Sequence, residues 1–263
     1  MRIFLAGASG AIGRRLTPLL LAAGHAVTGT TRSLGKAEEL KARGIEAVVV
    51  DVFDAAALRD AVLRARPDVV IHQLTDLPQT FDRERLAASL VNNARLRIDG
   101  TDNLVAASLA AGARRLIAQS IAFAYAAGSE PHRESDPLAS AEGDSPEAIS
   151  ARGVRALENA VVNARGMVGI VLRYGRLYGP GTWNTPNVRA PLHVDAAAHA
   201  ALLAVTAARR ASTTLPRTTA PSQSKKPAAS LASIRPSGWQ ARTACSGSAS
   251  PSARSATACR LPW

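Results

Sequence analysis

The chain has 263 residues, of which 47% are hydrophobic and 4% aromatic, enough apolar sequence for one α/β domain with a sizeable core. No apolar run approaches the roughly 18–20 residues that a membrane span needs, and the two cysteines make neither a disulfide framework nor a zinc site. The net charge of +12 lies at one end: residues 207–263 hold nine of the 32 basic residues and none of the 20 acids.

Strand-like and helix-like segments alternate over the first 200 residues. Strands are predicted at 3–7, 25–31, 45–51, 68–74, 113–120 and 167–174, and helices at 11–24, 37–44, 55–65, 82–111, 146–166 and 195–208. Asp54 and Asp195 are the predicted N-caps of the third and last helices. The alternation predicts βαβ units and therefore an α/β fold with a doubly wound parallel sheet, the Rossmann fold.

The alternation stops near residue 206. We predict a Rossmann domain over residues 1–206 and a low-complexity basic tail over 207–263, disordered because it is rich in Ser, Pro and Arg without any period. A basic arm for nucleic acid or an acidic partner is the alternative, but the tail lacks interleaved aromatics, and we expect no nucleic-acid partner. A strand and a glycine loop occupy the place of a signal peptide, so we expect a cytoplasmic protein without a membrane anchor.

Residues 7–13 read GASGAIG and join the first predicted strand to the first helix. Gly7 allows a tight turn, Gly10 lets the backbone approach a ligand, and Gly13 lets the helix lie close to the strand. Free N–H groups and the positive end of the helix dipole favour an anion there. The loop therefore predicts a site for the phosphates of a dinucleotide, formed by Gly7, Ser9, Gly10, Ala11, Ile12 and Gly13.

Arg32 follows the second predicted strand, where an acid would bind the ribose 2′-hydroxyl of NAD. An arginine can instead form paired hydrogen bonds with a 2′-phosphate. We therefore predict NADP as the cofactor, with NAD as the alternative. The competing interpretation is a solvated surface arginine.

Seven segments in order carry a resemblance to a known family: GASGAIG, TTR, VVVDVFD, VVIHQL, DGTDNLVAASLAAGARRLIAQSIAFAY, VLRYGRLYGPGTW and LHVDAAA. Over residues 1 to about 205 the chain resembles the extended or atypical branch of the short-chain dehydrogenase/reductase superfamily, the NAD-dependent epimerase/dehydratase group. The resemblance implies a Rossmann domain with a small C-terminal substrate domain, a small-molecule substrate, and pairing into a homodimer.

The resemblance also implies roles for residues at the ends of the strands. Asp51 would bond the adenine amino group, and Val52 would line the adenine pocket. Leu74 and Thr75 would run beside the ribose and phosphates. Tyr174, followed by Gly175, would flank the nicotinamide ring.

The family's usual catalytic pair is absent from the helix predicted at 146–166. That pair is a tyrosine and a lysine four residues apart, which move a proton while hydride moves to or from the cofactor. Aligned through Glu158, the two positions hold Ser150 and Val154, and a shift by one gives Ala151 and Arg155.

Other residues could substitute for the pair. We predict Ser120, at the end of the fifth strand, as a hydrogen-bond donor to the substrate. Tyr125 is the candidate proton donor, although a packing role is the competing interpretation. Tyr178 and Arg155 are weaker candidates, and Arg97 replaces the asparagine that the family has on the preceding helix. The histidines lack the spacing of a ligand pair, so no metal site is expected.

The region that would form the substrate domain is short. Only NTPNVRAPL separates GPGTW from HVD, where the family has several dozen residues, which predicts a truncated C-terminal substrate region. The abrupt change to the acid-free tail suggests a frameshifted or diverged gene end. Exposed apolar surface would follow, with marginal stability or self-association.

The sequence therefore favours an NADP-dependent oxidoreductase or epimerase-like enzyme acting on a small carbonyl or sugar-like substrate. A non-catalytic dinucleotide-binding sensor or scaffold is the first alternative, and a degenerate relative with little function is the second.

Overall fold

The computed structural model describes residues 1–78, 80 and 82–207, together with 213–214. Its strands are β1 Arg2–Ala6, β2 Ala26–Thr31, β3 Glu46–Val49, β4 Val69–His72, β5 Arg115–Ile121, β6 Val168–Tyr174, β7 Arg176–Tyr178, β8 Pro191–His193 and β9 Thr213–Thr214. Its helices are α1 Ala11–Ala22, α2 Leu34–Ala42, α3 Ala55–Ala65, α4 Arg83–Arg95, α5 Thr101–Ala110, α6 Pro146–Val162 and α7 Val194–Thr206.

A seven-stranded parallel sheet with the order β3-β2-β1-β4-β5-β6-β9 forms the centre of the fold. The chain runs outward from β1 to β3 and then crosses back to place β4 on the other side of β1. The strand order therefore reverses between β1 and β4, which is where doubly wound sheets bind their ligands. The predicted α/β fold is confirmed. A separate parallel pair, β7 and β8, lies outside the main sheet.

Helices cover both faces of the sheet because β1 alternates its apolar side chains between two cores. Ile3 and Leu5 pack into one core with side chains of α1 and α7. Phe4 and Ala6 pack into the other with side chains of α3, α5 and α6. A parallel sheet buried on both faces holds its strand ends rigidly, and these ends position the site.

The N-termini of α3 and α7 test the two N-cap residues that the sequence predicts. Asp54 caps α3 as predicted, because its side chain accepts a hydrogen bond from the N–H of Ala57. The prediction of Asp195 as a cap is wrong: His193 is the N-cap of α7, and its Nδ1 accepts from the N–H of Asp195. Asp195 instead forms an ion pair with Arg15 of α1, at 2.6 Å.

The single helix predicted over 82–111 is interrupted. A π-helical turn, Leu96–Gly100, lies between α4 and α5. Such turns insert one extra residue into a helical turn and often occur at functional sites.

The predictions for the tail fall almost wholly outside the described residues. Of 207–263 the structure describes Ala207 and the short strand Thr213–Thr214, which pairs with Leu172 and Arg173 of β6. The predicted disorder and the suggested frameshift therefore stay predictions. In the part of the chain that is described, no helix is both long enough and apolar enough to cross a bilayer.

Candidate functional site

A cleft of about 1110 Å³ lies over the carboxyl ends of the strands, at the point where the strand order reverses. All the residues predicted to hold the cofactor line it except Gly13: Gly7, Ser9, Gly10, Ala11, Ile12, Arg32, Asp51, Val52, Leu74, Thr75 and Tyr174. The structure therefore brings these residues together, although their roles toward a cofactor stay predictions.

The glycine loop has the close backbone approaches that its sequence suggests. Gly7 has a φ of +92°, and a Cβ there would lie 2.8 Å from the carbonyl oxygen of Gln73. A Cβ on Gly13 would overlap the carbonyl oxygens of Gly7 and Ala8. Gly13 thus lies beneath the loop and lets α1 pack against β1, which explains its absence from the cleft wall.

The N-terminus of α1 is open toward the cleft. Gly10 is the N-cap, in an extended conformation, and no side chain caps the helix. The N–H groups of Ala11 and Ile12 lie in the first turn of the helix, where no carbonyl of the helix can accept a hydrogen bond from them. With the positive end of the helix dipole, they form a site that fits a phosphate.

Basic side chains line the cleft beyond the second strand. Arg32 is 64% exposed on its side chain, and its Nη2 lies 3.4 Å from Oδ1 of Asp76. Lys36 and Arg43 of the α2 region line the same cleft. Asp76 also accepts a hydrogen bond from Nδ2 of Asn92 at 2.9 Å. This bond fixes the carboxylate beside the guanidinium group of Arg32.

Three of the residues predicted beside adenine and ribose take part in hydrogen bonds between a backbone group and a side chain. Oδ1 of Asp51 accepts from the N–H of Phe53 at 3.0 Å, and the carbonyl of Val52 accepts from Asn103 at 2.9 Å. The N–H of Leu74 donates to Nδ1 of His72 at 3.3 Å. Burial, with the nearby charge of Arg97, lowers the pKa of His72 to about 4, so this histidine is a neutral structural acceptor.

The two predicted catalytic residues lie together, but away from the cleft wall. The hydroxyl of Ser120 donates to Oε1 of Glu158 at 2.6 Å, while its strand neighbours Gln119 and Ile121 face the cleft. The hydroxyl of Tyr125 accepts from Nη1 of Arg173 at 2.8 Å. Strand side chains alternate between faces, so Ser120 points to the side opposite Gln119 and Ile121.

Arg173 and Glu158 form a nearly buried ion pair at the centre of this group. Nη2 of Arg173 lies 2.6 Å from Oε2 of Glu158, and the two side chains are 8% and 11% exposed. The hydrogen bonds that Arg173 donates to the Glu158 carboxylate raise the pKa of Arg173. The geometry gives Ser120 and Tyr125 the contacts of an internal polar network, and their predicted catalytic roles stay untested.

The positions of the usual catalytic pair are divided between the cleft and the core. Ser150 lines the cleft, whereas Val154 is fully buried against Ile121 and Ala124. Arg155 donates to the carbonyls of Leu138 and Ala139 and does not line the cleft. No ammonium group replaces the missing lysine on this face of α6.

Tyr174 has its hydroxyl bonded to a backbone carbonyl, and Tyr178 lies outside the cleft wall. The hydroxyl of Tyr174 donates to the carbonyl of Ala197 at 3.0 Å, and burial raises its pKa. The ring of Tyr178 packs edge-on against His193, with centroids 5.1 Å apart, and is not part of the cleft wall.

Two cleft residues were not singled out as site residues from the sequence. Gln73, which follows β4, is 5% exposed, and its side-chain amide lies beside the hydroxyl of Tyr174. Arg97, in the π-helical turn, reaches the cleft and donates to Oγ of Ser150 at 3.4 Å. The departure of Arg97 from the family's asparagine was the one available signal.

Over the residues described, no group of three or more His, Cys, Asp or Glu side chains could hold a metal ion.

Comparison with known proteins identifies a family and several relatives. The model of a family described as "NAD dependent epimerase/dehydratase family" matches residues 3–213. The chain is similar to a 3-diazoavenalumate denitrifying reductase of a Streptomyces species, with 45% identity over 183 residues, 69% of this chain and 58% of that protein. It is also similar to a dTDP-4-dehydrorhamnose reductase of Streptomyces griseus, with 32% identity over 68% of this chain and 51% of that protein.

Solved structures agree on the fold. A UDP-glucose 4-epimerase of Thermotoga maritima superposes with a TM-score of 0.67 at 20% identity, over 82% of this chain and 76% of that one. The Bordetella bronchiseptica enzyme WbmH, solved with NAD+, superposes with a TM-score of 0.62 at 21% identity, over 81% of this chain and 74% of that one.

Proposed function

The chain belongs to the NAD dependent epimerase/dehydratase family, and from this premise we propose that it binds a nicotinamide dinucleotide in the cleft and catalyses a reduction. The observation that carries the proposal is the uncapped N-terminus of α1, opening onto a cleft of about 1110 Å³ where the strand order reverses. The N–H groups of Ala11 and Ile12 would bind the phosphates. Asp51, Val52, Leu74 and Thr75 would hold the adenosine half.

NADP is the proposed cofactor rather than NAD. Arg32 lies directly after β2, and Lys36 and Arg43 line the same cleft, so a 2′-phosphate would meet three positive charges. Arg32 would exchange its 3.4 Å contact with Asp76 for shorter hydrogen bonds to the phosphate.

The proposed reaction does not require a proton donor from the protein. In neither of the two alignments, Ser150 with Val154 or Ala151 with Arg155, does helix α6 supply the family's tyrosine and lysine. Tyr174 has its hydroxyl bound to a carbonyl. The Streptomyces relative with 45% identity is named as a denitrifying reductase of a diazo compound, although the chain spans 58% of its length. That chemistry suits this site.

When bound, a reduced nicotinamide would supply a hydride. If the substrate carries its diazo group as a diazonium (C–N2+), this hydride would form the new carbon–hydrogen bond, and dinitrogen would leave with the electron pair of the broken carbon–nitrogen bond, so that atoms and charge balance. Dinitrogen leaves without a proton, so the reaction does not need the tyrosine and lysine. The chain's own task is to bind the two reactants side by side and exclude water. We therefore propose an NADP-dependent reductase of a diazo-substituted acid.

A small carbonyl or sugar-like substrate, as predicted from the sequence, is the second candidate. It is favoured by the 32% identity to a dTDP-4-dehydrorhamnose reductase. Its reduction would require a proton for the product oxygen, and this would have to come from water or from a side chain such as Ser150.

Cofactor binding is tested by thermal stabilisation with NADP and NAD, because a ligand of the folded state raises its stability by RT ln(1 + [L]/Kd). We expect NADP to bind wild-type protein more tightly, and Arg32→Ala to weaken NADP roughly 10- to 100-fold while changing NAD little. The control is Arg64→Ala, an exposed arginine of α3 outside the cleft wall. Equal loss of both ligands in Arg32→Ala would contradict the 2′-phosphate assignment.

Turnover is tested with NADPH against 3-diazoavenalumate and dTDP-4-dehydrorhamnose. With deuterated NADPH, we expect one deuterium at the carbon that carried the diazo group, measured by mass spectrometry. Turnover of the sugar nucleotide alone would favour the second candidate. Cofactor binding without turnover of either would favour a non-catalytic binding protein.

A further inference from the structure

Among the described residues, Arg97 is a positive charge in the cleft that no carboxylate contacts. Three other arginines of the cleft each contact one: Arg14 lies 3.1 Å from Glu39, Arg15 lies 2.6 Å from Asp195, and Arg32 lies 3.4 Å from Asp76. The side chains of these three are 41%, 41% and 64% exposed, and Arg43 and Arg176, which line the cleft without a carboxylate contact among the described residues, are exposed as well. The side chain of Arg97 is half-buried, yet no carboxylate of the described residues lies within ion-pair distance of its guanidinium group.

Within the part of the chain that the structure describes, the guanidinium group of Arg97 uses few of its hydrogen-bond donors. A guanidinium has five N–H groups, and the one hydrogen bond from Arg97 to a described residue is the long contact of 3.4 Å to Oγ of Ser150. The charge of Glu158 acts favourably on Arg97, but that carboxylate is already bonded twice by Arg173 and once by Ser120. Two guanidinium groups therefore share one carboxylate, which leaves a net positive charge on the cleft side.

Arg97 is half-buried, and removing a cation from water costs free energy unless a further contact compensates it. Burial lowers the pKa of Arg97 to about 10, and the side chain stays charged at neutral pH. The π-helical turn Leu96–Gly100 carries Arg97 toward Ser150 across the gap between two helices. These observations indicate a place for an anion other than the dinucleotide phosphates, which the proposed function assigns to α1 and Arg32.

We propose that Arg97, with the hydroxyl of Ser150, binds a carboxylate group of the substrate. The planar fork of an arginine matches the two oxygens of a carboxylate, and the serine hydroxyl can donate a further hydrogen bond. The inference rests on the proposed function, since the relative's substrate is named as the anion of a diazo-substituted acid. It gives Ser150 and Arg97, which replace the family's tyrosine and asparagine, a shared role in orienting the substrate.

The test measures binding separately from turnover. Wild-type protein saturated with NADP is titrated with the denitrified product of 3-diazoavenalumate and with the neutral amide of that product, following thermal stabilisation. We expect the carboxylate to bind at least tenfold more tightly than the amide. Arg97→Met should weaken the carboxylate about 10- to 100-fold and leave the amide unchanged, and Arg97→Lys should restore part of the loss.

Each variant is compared with its own ligand-free melting temperature, and stabilisation by NADP shows that its dinucleotide site is intact. Arg64→Met, at an exposed position of α3, is the matched control and should bind both ligands as wild type does. In turnover, Arg97→Met should raise KM for 3-diazoavenalumate much more than for its methyl ester.

The possible failures are distinguishable. Equal binding of acid and amide, or equal weakening of both by Arg97→Met, would overturn the carboxylate site whatever the turnover result. Carboxylate binding that depends on Arg97, but without NADPH oxidation, would support the site and contradict the proposed reductase activity.

Discussion

Replacing Glu158 with glutamine should destabilise the protein by about 3 kcal/mol, because it leaves the buried charge of Arg173 uncompensated. Arg173 is 8% exposed and Glu158 is 11% exposed, and two hydrogen bonds of 2.6 and 2.9 Å join them. Removing one member of such a pair costs about 3–5 kcal/mol. Glutamine keeps the side-chain volume and can still accept from Ser120, so we expect the lower end of this range.

Urea unfolding at pH 7 measures the effect, since the free energy of unfolding falls linearly with denaturant. Arg173→Met should cost a similar amount, but the double variant should cost clearly less than the two single changes added together. The matched control is Glu38→Gln, which removes an exposed pair with Lys41 whose side chains are 71% and 56% exposed. That pair is worth less than about 1 kcal/mol. The reasoning is refuted if Glu158→Gln costs no more than Glu38→Gln.

Two further predictions concern the cleft and its base. Asp76→Asn should release Arg32 and remove a negative charge near the proposed 2′-phosphate, so NADP should bind up to about fivefold more tightly relative to NAD; weaker NADP binding in a thermal titration would contradict this. The pKa of His72 is about 4 in the folded chain and about 6.5 in the unfolded chain, so the unfolded state binds the proton first as the pH falls. The free energy of unfolding should therefore be unaffected by His72 above pH 6.5 and fall by about 3 kcal/mol between pH 6.5 and pH 4. Urea unfolding across that range should show a smaller loss for His72→Asn; an identical pH dependence would refute the assignment.

The family and the cofactor half of the cleft could be predicted because their signals are local. The loop GASGAIG joins a strand to a helix within a few residues, and its glycines are required by contacts among Gly7, Ala8 and Gln73 that the fold always brings together. The period of the apolar residues likewise predicted the parallel sheet, because each strand must be buried on both faces. The N-cap residues were predicted less reliably, since the sequence predicted Asp195 as the N-cap of α7 and the structure has His193 in that position.

The substrate half of the cleft was decided by tertiary packing. Ser120 and Ile121 are neighbours in sequence, and the direction of β5 against α6 turns Ser120 toward Glu158 and Ile121 toward the cleft. Arg97 and Ser150 are 53 positions apart, and they meet only because a π-helical turn between α4 and α5 packs beside α6. A sequence records which side chains exist, but the face that each one presents, and the charge it finds there, follow from the packing of elements distant in the chain.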